Sequence, residues 1–208
     1  MMIDVRELGP LQLDGLREVA NIGAGHAATA MSQLTGKQIW IDVPQIRIFG
    51  IEDVGRVTGT DTEVVAAVAM QMLGDLAGRT IQIFPGPTAS RLTGILLQRK
   101  EPAFPDDFGE MEQSALKEAG NIVGAAYLNA LSDFLGLMLL TSVPGLAIDQ
   151  AAAVLRSGTA GVAEHSDALI CLDTVFRIDS EAEPVRAHFL LMPDPASLQV
   201  ILRAIHLA

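Results

Sequence analysis

The chain has 208 residues, of which 50% are hydrophobic and only 19% are charged, so it is too apolar for a disordered protein and long enough to bury a core. Its 14 basic and 25 acidic residues give a formal net charge of −11. That charge argues against nucleic acid and against an anionic membrane surface as partners.

The first half of the chain predicts a long helix, a β-hairpin and a short helix. Apolar residues recur at helical spacing over residues 11–34, and Gly36 follows as a natural helix stop. Two apolar runs, at residues 63–73 and 79–84, flank a Gly-Asp-Leu-Ala-Gly turn and therefore predict a hairpin. Residues 85–97 then predict a short helix.

The second half predicts the same order of elements after a linker. Residues 99–107 contain two prolines and a pair of aspartates, a composition typical of a linker that leads into a helix. Beyond the linker the pattern predicts a helix that stops at Gly136, two strands and a final helix, at residues 110–135, 167–178, 185–192 and 193–205.

The two halves are copies of one another. Leu-Arg-Glu-Val-Ala-Asn-Ile at residues 16–22 returns as Leu-Lys-Glu-Ala-Gly-Asn-Ile at residues 116–122, an offset of 100 residues. We therefore expect one domain over residues 1–208, made of two internal repeats at about 1–100 and 101–208. The predicted fold class is α+β, with two pseudo-symmetric half-repeats that share a largely antiparallel sheet packed against helices.

Each long helix has one apolar face and one polar face. Counting about 100° per residue, the predicted buried positions are Leu16, Val19, Gly23, Ala27, Ala30 and Leu34, and in the second copy Leu116, Ala119, Val123, Tyr127, Ala130 and Phe134. The predicted exposed positions are Asp14, Glu18, Asn21 and Gly25, matched by Ser114, Glu118, Asn121 and Ala125.

A motif on the exposed faces keeps its spacing in both copies. It runs Asp or Ser, three residues, Glu, two residues, Asn, then 22 residues and Pro, as Asp14, Glu18, Asn21 and Pro44, and again as Ser114, Glu118, Asn121 and Pro144. One exposed Glu and Asn would be an ordinary solvated face, but a duplicated pair at fixed spacing indicates a site. The prolines are predicted to shape a turn into the next strand.

This doubled motif resembles the signature of the CheC-type chemotaxis phosphatases, the CheC/CheX/FliY family, over nearly the whole chain. The resemblance implies a CheC-like fold and a phosphatase that removes phosphate from the response regulator CheY-P. It also implies two sites, in which Asn21 and Asn121 orient the hydrolytic water and Glu18 and Glu118 contact the receiver lysine. Asp14 and Ser114 are then expected to contact the partner at the rim of each site.

The resemblance implies no cofactor of the chain's own, because Mg²⁺ is expected on the CheY partner. It also implies CheD, the receptor deamidase of this family, as a partner. A non-catalytic module that binds and regulates CheD is therefore the alternative function, with residues 145–156 as a candidate docking helix. A structural component of the flagellar switch, similar to FliY, is a third possibility.

Other signals in the sequence are weaker. Residues 23–28 match GxGxxA, but they lie inside a helical pattern and have no counterpart in the second copy, so we do not interpret them as a nucleotide site. The four histidines lack ligand spacing, so no metal site is predicted.

The chain is predicted to be cytoplasmic. Cys171 is the single cysteine, and we interpret it as a small core residue. The first seven residues include acidic side chains and no apolar signal core, and the longest apolar run, residues 134–140, is too short to cross a bilayer.

Overall fold

Both long helices occur where the repeat predicts them. The computed structural model describes residues 9–50, 57, 62–160, 168–179 and 181–207. The first half contains α1 (Pro10–Thr35), β1 (Ile39–Gly50), β2 (Val64–Gly74), β3 (Gly78–Pro85) and α2 (Gly86–Leu96). The predicted hairpin and short helix are confirmed as β2, β3 and α2.

The second half repeats this order with two short strands in the place of β1, and a short helix follows them. A single 3₁₀ turn (Pro105–Asp107) precedes α3 (Glu110–Leu135), β4 (Leu139–Thr141), β5 (Gly145–Gln150), α4 (Ala151–Thr159), β6 (Ala168–Ile178), β7 (Val185–Pro193) and α5 (Pro195–Leu207). Gly36 and Gly136 end α1 and α3 with φ of 68° and 65°, a left-handed conformation that glycine adopts without strain.

Within the described residues the strands form one sheet in the order β1-β6-β7-β3-β2-β4, and β5 also pairs with β2. All of these pairings are antiparallel. Exchanging the two halves reverses the order of the sheet and leaves its pattern unchanged, so a pseudo-twofold axis passes between β3 and β7. This arrangement confirms the predicted α+β fold of two pseudo-symmetric halves sharing a sheet.

The two halves are interlocked at the edges of the sheet. β1 belongs to the first half but pairs with β6 of the second, from Ile39 opposite Ile178 to Gly50 opposite Ala168. In the same way β4 and β5 of the second half pair with β2 of the first. Each half therefore depends on the other for the partner of its first strand.

Each face of the sheet carries its own apolar core. The face beneath α1, α2, α3 and α5 holds the larger core, with buried residues such as Met31, Phe84 and Leu116. The opposite face packs against α4, whose buried Val154 and Leu155 meet Ile81 and Ile83 of β3. No helix among the described residues is both long and apolar enough to cross a membrane.

Close contacts between elements explain several small residues. A Cβ atom on Gly23 would lie 2.8 Å from Cδ1 and 2.9 Å from Cα of Tyr127, so α1 and α3 are in backbone contact there. A Cβ on Gly120 would lie 2.7 Å from the side chain of Val68, so α3 lies low on β2. These two glycines fix the height and the spacing of the two long helices.

Three expectations are wrong in detail. Leu34 and Phe134, predicted to be buried, are 48% and 39% exposed, because the packed face of each helix continues through Met31 and Thr35 in α1 and through Leu131 and Leu135 in α3. Residues 145–156 are not one helix, since 145–150 form β5 and α4 begins only at Ala151. Pro44 does not lead into a new strand; it lies within β1, at an irregularity in the pairing with β6.

Candidate functional site

The polar motif residues lie on the outer faces of α1 and α3. Glu18 and Asn21 are both exposed on α1, three residues apart and therefore on one side of the helix. Glu118 is exposed and Asn121 is half-buried on α3, in the same relation. Each helix thus presents one carboxylate and one amide to solvent, as the sequence predicts, and each pair is formed within a single helix.

In the first copy the amide of Asn21 is held by the strand below it. The backbone N–H of Val43 donates a hydrogen bond to Oδ1 of Asn21, with an N···O distance of 3.1 Å. Val43 itself is buried and precedes Pro44, at the point where the register of β1 against β6 shifts between Asp42 and Gln45. The irregular segment of β1 therefore positions the amide.

This contact explains the long spacing within the motif. From Asn21 to the end of α1 the chain rises about 21 Å at 1.5 Å per residue. It turns at Gly36 and returns along an extended path of about 23 Å to Val43, at 3.3 Å per residue. A residue about 22 positions after the asparagine must then lie beside it, and the proline marks the irregular segment that meets the amide.

The second copy has a different arrangement at the same place. β4 ends at Thr141, and Val143, at 89% exposure, and Pro144 lie between β4 and β5. Ser142 is anchored to β2, because its N–H donates to the carbonyl oxygen of Gln71 at 3.0 Å and its Oγ accepts from the N–H of Gln71 at 2.9 Å. Among the described residues, nothing donates to the side chain of Asn121.

The rims of the two pairs also differ. Asp14 is exposed and forms an ion pair with Arg17, one turn further along α1. Ser114 is exposed at the corresponding position of α3. Ile22, the residue after Asn21, is 48% exposed and adds an apolar side chain to the surface beside that asparagine. A polar pair beside apolar surface suits contact with another protein.

One cluster on the opposite face of the sheet was not predicted. Cys171, Asp173 and His188 bring potential ligand atoms within 4.8 Å of one another, and no sequence spacing links His188 to the other two. The cluster forms because Asp173 of β6 pairs in register with His188 of β7. Their side chains meet directly, with Nδ1 of His188 2.9 Å from Oδ1 of Asp173.

The guanidinium of Arg47 already lies within this cluster and contacts two of its side chains. Nη2 of Arg47 lies 2.6 Å from Oδ1 of Asp173 and 3.8 Å from Sγ of Cys171. Burial, reinforced by the neighbouring Asp173 carboxylate, raises the pKa of the Cys171 thiol to about 12, so the thiolate that metals prefer is disfavoured. Partial burial raises the pKa of Asp173, but the hydrogen bonds and positive charges of His188 and Arg47 outweigh it and lower the pKa overall. The cluster is best described as a partly buried ion pair.

The comparisons with known proteins agree with the repeat. A family model described as the CheC-like family matches residues 11–48 and 111–148, the two segments that carry the motif. The protein named CheY-P phosphatase CheC from Bacillus subtilis is 35% identical over 197 residues, which cover 93% of each chain.

Solved structures share the fold. Thermotoga maritima FliY matches with a TM-score of 0.77 at 18% identity, covering 96% of this chain and 98% of that one. The middle domain of H. pylori FliM matches with a TM-score of 0.60 at 13% identity, covering 95% and 99%. At these identities the likeness concerns the fold alone.

Proposed function

The chain belongs to the CheC-like family, and from that membership we propose that it hydrolyses the aspartyl phosphate of CheY-P, the substrate named for its Bacillus subtilis relative. The observation that carries the proposal is the Glu and Asn pair, repeated at the same spacing on the exposed faces of α1 and α3. Each pair offers a carboxylate and an amide, groups that can orient a water molecule, and we take water to be the nucleophile.

In the proposed reaction a water molecule attacks the phosphorus atom of the phosphoaspartate. The bond from phosphorus to the aspartyl oxygen breaks, the aspartate leaves as a carboxylate, and inorganic phosphate is released. Receiver domains supply the electrophile, a lysine and the site for Mg²⁺, so this chain needs to supply only positioning.

The asparagines suit the positioning of that water. An amide offers two lone pairs on oxygen and two N–H donors, so it can accept from the water and donate to it without changing its protonation state. Oδ1 of Asn21 uses one lone pair for the N–H of Val43, which leaves the second lone pair for water and fixes the plane of the amide. Asn121 has both lone pairs of its Oδ1 free for water, because no described residue donates to it.

The carboxylates suit the recognition of the partner. Glu18 and Glu118 project from the same side of their helices as the asparagines, one turn earlier. A carboxylate there would form an ion pair with the receiver lysine and align the receiver over the amide. Asp14 and Ser114 would then contact the rim of the same receiver.

The experiment that tests this proposal is release of phosphate from CheY-P in the presence of Mg²⁺. The wild type should accelerate release over the rate of CheY-P alone, and Asn21→Ala combined with Asn121→Ala should remove the acceleration. A matched control combines Gln33→Ala and Asn129→Ala, which shorten exposed amides elsewhere on α1 and α3 and should leave the rate unchanged. Full activity in the double asparagine variant would rule out the assigned roles.

We also propose CheD as a second candidate partner, through the edge of the sheet. β5 lies at that edge with Asp149 and Gln150 exposed, and α4 follows directly, so an incoming protein can reach both elements. If the chain is mainly a binding module, it should retain CheD in a pull-down after loss of both asparagines while releasing no phosphate. Rapid release without CheD would favour the phosphatase.

A further inference from the structure

A cavity of about 410 Å³ lies on the face of the sheet opposite the two long helices. The residues that line it all belong to β1, β6 and β7, and they include Asp173 and His188. Cys171 and Leu190, two positions from these residues on the same strands, belong to the apolar core that faces α4, so Asp173 and His188 project from that face too. The volume is typical of small-molecule sites, roughly 300–1,000 Å³.

The same face of the sheet is apolar and covered in the other half. The pseudo-twofold axis exchanges β6 and β7 with β2 and β3, whose residues on this face pack against α4, namely Val65, Ala67, Ile81 and Ile83. Around the cavity, polar side chains occupy the equivalent strands, and no described helix contributes to the lining. The two halves therefore differ at this place, and the polar cavity belongs to one of them.

Arg186 gives the cavity a guanidinium that no described carboxylate neutralises. Its side chain is exposed and lies two positions before His188 on β7, so both side chains project from the same face. Asp42, on the strand β1, forms an ion pair with Arg177 instead, with an N···O distance of 2.7 Å. The guanidinium of Arg186 is therefore available to an anionic group of a ligand.

Asp173 gives the cavity one carboxylate oxygen. Nη2 of Arg47 at 2.6 Å and Nδ1 of His188 at 2.9 Å both contact Oδ1, so Oδ2 has no partner among the described residues. The side chain is 21% exposed and lines the cavity. Partial burial raises the pKa of Asp173, but His188 and Arg47 lower it further, so the carboxyl is ionised at neutral pH.

The two opposite charges lie side by side on the floor of the cavity. Val175 pairs in register with Arg186, and Asp173 pairs with His188. Arg186 and Asp173 are therefore diagonal neighbours on one face, about 7–8 Å apart. A simple anion at Arg186 would lie near a carboxylate, and a simple cation at Asp173 would lie near a guanidinium. A ligand that carries both charges would suit both groups.

We propose that this cavity binds a small zwitterion, an amino acid with an apolar side chain. Its carboxylate accepts paired hydrogen bonds from the guanidinium of Arg186, and its ammonium donates to Oδ2 of Asp173. Pro44 and Val175 supply apolar lining for the side chain, and the exposed amide of Gln45 can bond to either charged group. The ligand lies on the face opposite the Glu and Asn pairs, so binding does not depend on the proposed phosphatase activity.

The test is titration of the whole chain with L-leucine, followed by the backbone amide signals in proton–nitrogen NMR spectra. We expect saturable shifts at the amides of Gln45, Val175 and Ala187, with a dissociation constant of about 1 mM or lower. Absence of saturable shifts at these amides, with L-leucine at millimolar concentration, would overturn the proposal.

Two analogues of the probe each lack one of its charges. Isocaproate keeps the carboxylate of leucine without the ammonium, and isoamylamine keeps the ammonium without the carboxylate. Each should bind at least about tenfold more weakly than L-leucine, because a charge-assisted hydrogen bond contributes that order of affinity. If isocaproate binds as tightly as L-leucine, Asp173 does not contact the ligand and the proposal is wrong.

A pair of variants separates the cavity from general attraction to the protein surface. Arg186→Gln should weaken binding of L-leucine at least about tenfold, and signals away from the cavity should keep their positions because the side chain is exposed. Arg156→Gln removes the same charge from an exposed position of α4 and should change the affinity less than twofold. Equal weakening by the two variants would overturn the proposal.

Discussion

The two asparagines of the repeat are held differently, although the sequence treats them alike. Asn21 accepts a hydrogen bond from the backbone N–H of Val43, whereas Asn121 accepts none from the described residues. A backbone N–H that loses its acceptor costs free energy, although solvent compensates for part of the loss at an exposed site.

We therefore predict that Asn21→Ala lowers the free energy of unfolding by up to about 1 kcal/mol, and that Asn121→Ala changes it by less. Urea denaturation of the two variants, compared with the wild type, measures both values. Asn21→Asp keeps an acceptor for Val43 and should recover most of the stability without the amide N–H. Equal destabilisation by the two alanine substitutions would contradict the structural difference between the copies.

The ion pair around Asp173 makes a separate prediction about pH. Burial raises the pKa of the Asp173 carboxyl, but His188 and Arg47 lower it further than burial raises it, so the pKa in the folded state lies below the ordinary value of 3.8. A carboxyl whose pKa is lowered by folding stabilises the fold above its unfolded pKa, and this stability is lost as pH falls through the folded pKa.

Asp173→Asn should consequently destabilise the protein at neutral pH, and the difference from the wild type should shrink below about pH 4. Guanidinium denaturation at a series of pH values measures that difference directly. Asp133→Asn, at an exposed position of α3, serves as the control and should show little difference at any pH. If the difference in the free energy of unfolding between Asp173→Asn and the wild type stays constant down to pH 2, then folding does not lower the pKa of Asp173.

At the scale of elements, local periodicity located the long helices but missed the first strand of each half. Residues 39–50 contain inward-facing side chains at odd positions up to Val43 and at even positions from Ile46 onward. The irregularity at Pro44 moves the inward-facing side chains from odd to even positions. A search of the sequence for strict alternation of apolar and polar residues therefore does not recognise residues 39–50 as one strand. In the sequence, Pro44 by itself suggested a turn. In the structure, the pairing with β6 shows that Pro44 lies within the strand β1.

In the second half, local sequence periodicity likewise did not predict the strand within residues 145–156. The alanines of this segment favour helix, and the helix does form from Ala151. Residues 145–150 instead pair with β2, opposite residues 64–69, and that distant partner decides their conformation. The positions of the Glu and Asn residues were predictable because they depend on helical spacing, whereas the contacts of Asn21 and Asp173 depend on strands that meet across the sheet.

The two glycines at the start of the GxGxxA sequence provide a matched test within α1. Gly23 lies against Tyr127 of α3, where a Cβ atom would approach within 2.8 Å, and nothing lies within 4 Å of a Cβ on Gly25. We predict that Gly23→Ala lowers the free energy of unfolding by about 1–3 kcal/mol, because the helices must separate.

Gly25→Ala should instead raise the free energy of unfolding by about 0.5–1 kcal/mol, because alanine is the better helix former at an exposed position. Thermal or urea denaturation of the two variants tests the contrast. If Gly23→Ala stabilises the protein as much as Gly25→Ala does, then α1 and α3 are not in backbone contact at that point.

For the molecule as a whole, duplication has produced two halves that complete one another. In a simple tandem repeat each half would pair its own three strands. Here, within the part of the chain that the structure describes, β1 pairs only with β6, and β3 pairs with both β2 and β7. The centre and both edges of the sheet therefore combine the two halves. The buried side chains of β1, including Ile39 and Ile41, also depend on the second half for the strand beside them.

The pairing of strands between the two halves predicts how each half behaves when it is separated from the other. Residues 1–100 expressed alone would leave β1 without its ladder and β3 with an open edge, and residues 101–208 would leave β4, β5, β6 and β7 similarly incomplete. An unpaired strand exposes its backbone polar groups and half of its apolar face, and a chain of about 100 residues has little stability to lose. Neither half should unfold cooperatively as a monomer.

Co-expression of the two halves, cut within residues 99–107, should restore the structure, because every lost strand pairing is present in the partner. A pull-down through a tag on one half and a denaturation curve of the complex measure the result. Self-association of the first half into a symmetric dimer also agrees with the exchange, since the pseudo-twofold axis would become a true one. A monomeric first half with a cooperative unfolding transition would show that β1 has a stable partner within its own half, contrary to the pairing of β1 with β6.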